Sequence, residues 1–160
     1  MYRVWLICVG SCKEKYWREA VAEYQKRLSG FCKFTLVEVP EYRLPGDPSP
    51  AQIQKGLEEE GKALLAKCPA GAVKIPLCIE GKEMSSEKLA SYLQTQGVGG
   101  SGSFALFIGG SYGLWEELKK QGQLKLSISP MTFPHQLARV MVMEQLYRCF
   151  CILAGKTYHK

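Results

Sequence analysis

Alternating apolar and amphipathic segments predict an α/β domain with a mainly parallel sheet flanked by helices. Short runs rich in Val, Ile, Leu and Phe recur at residues 2–9, 33–39, 73–79, 104–108 and 124–128. Segments with helical spacing of apolar residues separate most of them, and glycine, proline or polar clusters close most of the runs. The 160 residues suffice for one core without disulfide or metal staples, so residues 1–160 are expected to fold as a single domain.

Residues 2–9 read as a buried strand stopped by Gly10. A helix over about 13–28 follows, with Tyr16, Trp17, Ala20, Tyr24 and Leu28 on its apolar side and Ser29-Gly30 ending it. After the second strand, proline and charge at 40–50 make a loop, and residues 51–67 form a charged helix carrying Ile53, Leu57, Ala63 and Leu64. Pro76 interrupts the third run; it cannot donate to a ladder, which implies a strand end, an edge or a bulge. Ser85 or Ser86 caps a helix to about Thr95, and the glycine-serine stretch 97–103 connects it to the fourth strand. A short helix at 114–120, a strand at 124–128 and a last helix over about 135–154 complete the order. That last helix is apolar around nearly its whole circumference, from Leu137 to Leu153, which predicts surface covered by a second copy. A central helix of the monomer is the competing account.

Composition narrows the function classes. The net charge of +6 suits an acidic partner such as RNA without requiring one. Seven cysteines, with no Cys-x-x-Cys pair, indicate neither a zinc site nor a disulfide framework, and reduced cytoplasmic thiols are expected. The apolar run before Cys12 is short for a secretory leader, and no run approaches the roughly 18 residues of a membrane helix.

Three segments near the C-terminus carry chemistry. The turn Ile108-Gly109-Gly110-Ser111-Tyr112-Gly113 lies between a strand and a helix, where glycines let a ligand approach the backbone. It is not a dinucleotide fingerprint, because Ser111 and Leu114 stand where that motif needs glycine and Ser129 where it needs an acid. Gly155-Lys156-Thr157 fails as a phosphate loop, since residue 150 is Phe and no helix follows. The segment Ser129-Pro130-Met131-Thr132-Phe133-Pro134-His135 is stiffened by two prolines, and Tyr158-His159-Lys160 combines aromatic and cationic groups suited to a base and a phosphate. Arg139, Glu144 and Arg148 are the charges of the apolar last helix; Glu144 and Arg148 have i,i+4 ion-pair spacing, and each arginine's planar fork also fits a phosphate or a base.

Taken in order, Val9-Gly10, Lys13-Glu14-Lys15-Tyr16-Trp17, Glu38-Val39-Pro40, Glu80-Gly81-Lys82, Ile108-Gly109-Gly110, Met131-Thr132-Phe133-Pro134-His135-Gln136, Glu144-Gln145-Leu146-Tyr147-Arg148 and Tyr158-His159-Lys160 resemble one family. It is the ribosomal large-subunit pseudouridine methyltransferases of the H type, in the SPOUT superfamily. The resemblance implies a C-terminal trefoil knot, a homodimer, S-adenosylmethionine as methyl donor, and methylation of N3 of a pseudouridine in the helix 69 hairpin of 23S rRNA. It places cofactor contacts on Leu77, Gly109, Ile128, Ser129, Pro130, Met131, Thr132 and Phe133. Tyr158, His159 and Arg148 become the candidate catalytic residues, the tail reaching in from a partner subunit, and His135, Arg139 and Lys160 the RNA contacts. Neither metal nor membrane is implied. A dimeric RNA-binding module without catalysis is the alternative that charge and tail equally permit.

Overall fold

The structure is a computed structural model and describes residues 1–158. Five parallel strands form one sheet in the order β2-β1-β4-β3-β5. They are β1 (Tyr2–Val9), β2 (Cys32–Val39), β3 (Val73–Glu83), β4 (Ser103–Ile108) and β5 (Leu126–Ser127). The helices are α1 (Lys15–Leu28), α2 (Pro50–Ala66), α3 (Ser86–Gly99), α4 (Glu116–Lys120) and α5 (His135–Leu153).

Strand alternation assigns the two faces. Val4, Leu6 and Cys8 of β1, with Phe104, Leu106 and Ile108 of β4, pack under α1, α3 and α5. Ile7, Val9, Ala105 and Phe107 face the opposite way, toward Leu64 of α2 and Leu118 of α4. Both faces are covered, so β4 is buried throughout, as a central parallel strand must be. Ser49 starts α2 with a reciprocal capping box to Gln52, and the Ser85 side chain accepts from the Lys88 amide at the start of α3.

Three expectations change. Pro76 lies in an interior strand, opposite Phe107 of β4; there pairing passes from β4 to β5, and the register breaks between Leu77 and Lys82. The bulge reading of Pro76 therefore holds and the edge reading does not. The last strand shrinks to Leu126–Ser127, and Tyr16 points to solvent at 63% exposure instead of joining the apolar side of α1. The third concerns α5, which lies between α1 and α3 against the sheet and has no exposed residue along its length. α1, α3 and the sheet cover most of its apolar circumference, and Leu137, Val140, Met141 and Tyr147 keep part of their surface in solvent. Large apolar groups that do reach solvent gather elsewhere, at Ile79, Tyr112, Ile128 and Met131.

All seven cysteines are unpaired. Among the described residues, no helix is long and apolar enough to cross a membrane.

Candidate functional site

Ligands of open α/β sheets bind beyond the carboxyl ends of the strands, and there this chain has a cavity of about 440 Å³. Its walls are Leu77, Cys78, Ile79 and Glu80 from the irregular stretch of β3, the turn from Ile108 to Leu114, and the segment from Leu126 through Phe133, excepting Ser127 and Pro130. His135 and Ala138 close it from the first turn of α5, and Lys119 from α4.

The glycine turn folds onto itself. The Gly113 amide donates to the Gly110 carbonyl at 3.0 Å, and Gly113 has φ +85°, a conformation L side chains rarely adopt. A Cβ on Gly109 would sit 2.2 Å from the Gly113 carbonyl oxygen, so only glycine fits. Opposite, Ser127 Oγ donates to the Ser129 carbonyl at 3.1 Å and Ser129 Oγ accepts from the Met131 amide at 3.0 Å. These two bonds and two prolines pre-order the loop, lowering the entropy a ligand must overcome. Lys119 Nζ donates to Glu80 at 2.7 Å and Glu116 at 3.1 Å, joining α4 to β3 beside the cavity.

Seven of the eight positions expected to contact cofactor line this cavity; the exception, Pro130, is exposed and stands outside the wall. Cys78, Glu80, Ser111, Tyr112 and Lys119 were missed. Glycine spacing already marked Ser111 and Tyr112 as turn residues, whereas nothing local distinguishes Lys119 from a solvated helix lysine.

The charged groups of α5 divide. Arg139 was expected to contact RNA, but it is 1% exposed. Its Nη1 donates to Glu38 Oε2 at 2.5 Å and its Nη2 to the Gly10 carbonyl at 3.2 Å. Arg139 therefore braces the ends of β1 and β2 against the first turns of α5. Beside it, burial pushes the Cys8 thiol up to about 12, so it stays protonated and inert. His135, one turn before Arg139, is partly buried with its ring beside the β1 turn, where Gly10 has φ +83°.

Arg148 donates from Nε and Nη2 to Glu144 Oε1, at 3.0 and 2.7 Å. Tyr158 Oη donates to Glu144 Oε2 at 2.9 Å, and the Arg148 guanidinium lies 4.9 Å from the centre of the Tyr158 ring. Partial burial and the Glu144 carboxylate, which accepts its hydrogen bond, hold the Tyr158 phenol above its ordinary range. Thirteen residues of helix, about 20 Å at 1.5 Å per residue, separate Arg148 from His135. One subunit therefore does not bring Arg148 and Tyr158 to its own cavity wall. His159 and Lys160 lie outside the described residues.

Residues 2–159 match the family model described as predicted SPOUT methyltransferase. The chain belongs to the SPOUT methyltransferase family. Among solved structures, it is similar to a probable methylase family protein from Haemophilus influenzae Rd KW20, at 11% identity over 97% of this chain and 67% of that one, with a TM-score of 0.53. A putative methyltransferase from Legionella pneumophila, solved with bound cofactor SAM, shares 14% identity over 91% of this chain and 65% of its own, with a TM-score of 0.48. The SpoU methyltransferase AviRb from Streptomyces viridochromogenes shares 13% over 98% and 62%, with a TM-score of 0.46. This SPOUT chain thus spans about two thirds of the length of these solved proteins. As a SPOUT methyltransferase it has the five-stranded parallel sheet and flanking helices expected for the family, with the cavity formed by the C-terminal turns that carry its glycines and prolines. Among the described residues, no group of three or more His, Cys, Asp or Glu side chains could hold a metal ion.

Proposed function

We propose that this SPOUT domain, residues 1–160, is an S-adenosylmethionine-dependent methyltransferase that acts as a homodimer on N3 of a pseudouridine in the helix 69 hairpin of 23S rRNA. The carrying observation is the cavity of about 440 Å³ that gathers Leu77, Gly109 and the 128–133 loop. Its volume lies within the roughly 300–1,000 Å³ of small-molecule sites, and its walls combine apolar side chains and glycine backbone with a few polar groups such as Glu80, Lys119, Ser129 and Thr132. The adenine fits between Leu77, Leu126 and Phe133, with backbone amides and carbonyls of the turn and loop supplying polar contacts. Gly81 and Gly109, whose added Cβ atoms would strike the backbone of Lys125–Leu126 and of Gly113, are places where chain passes tightly against chain.

The bound cofactor supplies a methyl group already activated on a sulfonium. The chain's part is alignment, exclusion of water and removal of the ring proton. The net charge of +6 favours an RNA substrate. The span of about 20 Å along α5 favours a dimer, in which Arg148 and the tail with Tyr158, His159 and Lys160 reach the cavity of the other subunit. His159 is the tail group whose side chain type is suited to accept a proton.

Nucleoside mass spectrometry of 23S rRNA from cells with and without this gene tests the assignment. The methylpseudouridine signal should vanish without the gene, and an unchanged signal refutes the substrate. Cys78 gives an independent readout of the cofactor site, since it lines the cavity while Cys68, of similar exposure, does not. Maleimide labelling mapped by peptide mass spectrometry should show Cys78 protected at least about fivefold by saturating S-adenosylhomocysteine, with Cys68 unchanged. Equal labelling of Cys78 with and without the ligand places the cofactor elsewhere.

A further inference from the structure

A second cavity, about 460 Å³, opens where β1 and β2 end. Ser11, Lys13, Glu38, Pro40, His135 and Gln136 are among its walls. Its relation to the first cavity is set by one side chain, because His135 alone among the described residues lines both. The Arg139 brace holds this arrangement: it fixes Glu38 and the Gly10 carbonyl to α5 one turn beyond His135.

We propose that this second cavity receives the target nucleobase, with Glu38 accepting a hydrogen bond from a ring N–H, an assignment that rests on the methyltransferase reading above. The chemistry of the lining selects a neutral, N–H-bearing ring. Glu14, Glu38 and Glu41 against the single cation Lys13 make the interior unfavourable for a phosphate. Glu38 commits Oε2 to Arg139, which leaves Oε1 as an acceptor at the cavity wall. The amide of Gln136 both donates and accepts, matching the carbonyl and N–H edges of a uracil. Lys13, exposed at the rim, suits the phosphate of a neighbouring nucleotide. A uracil joined to ribose through carbon carries a second ring N–H that an ordinary uridine lacks. A carboxylate acceptor therefore distinguishes the two, because the uridine would leave Glu38 facing no donor.

Ser11→Trp tests the cavity, since Ser11 is exposed on its wall and a large side chain there fills the space beside Glu38 while leaving Glu38 and Arg139 themselves unchanged. The assay is methyl transfer to ribosomes from cells lacking this gene, prepared with and without the target pseudouridine, alongside calorimetry with S-adenosylhomocysteine. Ser11→Trp should lower kcat/KM for ribosomes at least about 50-fold while cofactor affinity stays within about twofold. Glu38→Gln should cut the preference for pseudouridine over uridine about tenfold, the effect of one charged hydrogen bond. A Ser11→Trp protein that transfers methyl groups like the wild type overturns the subsite alone. A wild type that binds no cofactor or methylates neither ribosome overturns the methyltransferase reading, and the subsite with it.

Discussion

Gly109→Ala is expected to abolish measurable cofactor binding, a loss of at least about 100-fold by calorimetry, equivalent to about 2.7 kcal/mol. The added methyl carbon would lie 2.2 Å from the Gly113 carbonyl oxygen, 2.5 Å from its carbon and 3.0 Å from the Leu114 nitrogen. All three are backbone atoms and cannot rotate away. The turn must open, which breaks the Gly113 to Gly110 hydrogen bond and moves the cavity wall. Overpacking of this kind costs about 1–3 kcal/mol in stability, or roughly 2–12 °C in Tm for a chain of this size. Gly99→Ala is the control, because its Cβ meets nothing within 4 Å. It should bind cofactor normally and melt no lower than wild type. Wild-type affinity in Gly109→Ala would show that the turn is not a wall of the cofactor site.

Glu38→Ala should produce the largest loss of stability of any single charge removal in the chain. It strands the Arg139 guanidinium, 1% exposed, with the Gly10 carbonyl as its remaining partner and Nε already unpaired. Breaking a buried pair by deleting one member typically costs about 3–5 kcal/mol. The lower end applies, because the Glu38 side chain is 40% exposed and water can enter beside it. About 3 kcal/mol corresponds to a Tm drop of roughly 6–12 °C. Arg139→Met should cost less, since the carboxylate left behind reaches solvent. Thermal melts that rank Arg139→Met below Glu38→Ala would contradict this account of the brace.

What could be read in advance divides along physical lines. The positions of β1 and β4 were legible because both are short, apolar and closed by glycine turns. The turn at Gly109 and the proline-stiffened loop at 129–135 were legible as unusual backbone, and only the family resemblance gave them a cofactor. Arg139 was not, because its partner lies 101 residues earlier and no local pattern reveals which carboxylate the sheet will bring beneath it. The circumference of α5 left two accounts open for a related reason. Periodicity reports that every side is apolar, but the count of covering surfaces depends on α1, α3 and the sheet meeting in space. Lys119 and Cys78 became wall residues only because β3 bulges past Pro76 and carries Cys78 to Glu80 against α4 and the glycine turn.

Every residue that lines the first cavity lies between Leu77 and Ala138, while β1, α1, β2 and α2 contribute none of its walls. β1, though first in sequence, is central in the sheet and bonds to β4. During synthesis the emerging N-terminal half therefore carries one side of β1 unpaired until residue 108 has left the exit tunnel, and α5 must follow before any cofactor can bind.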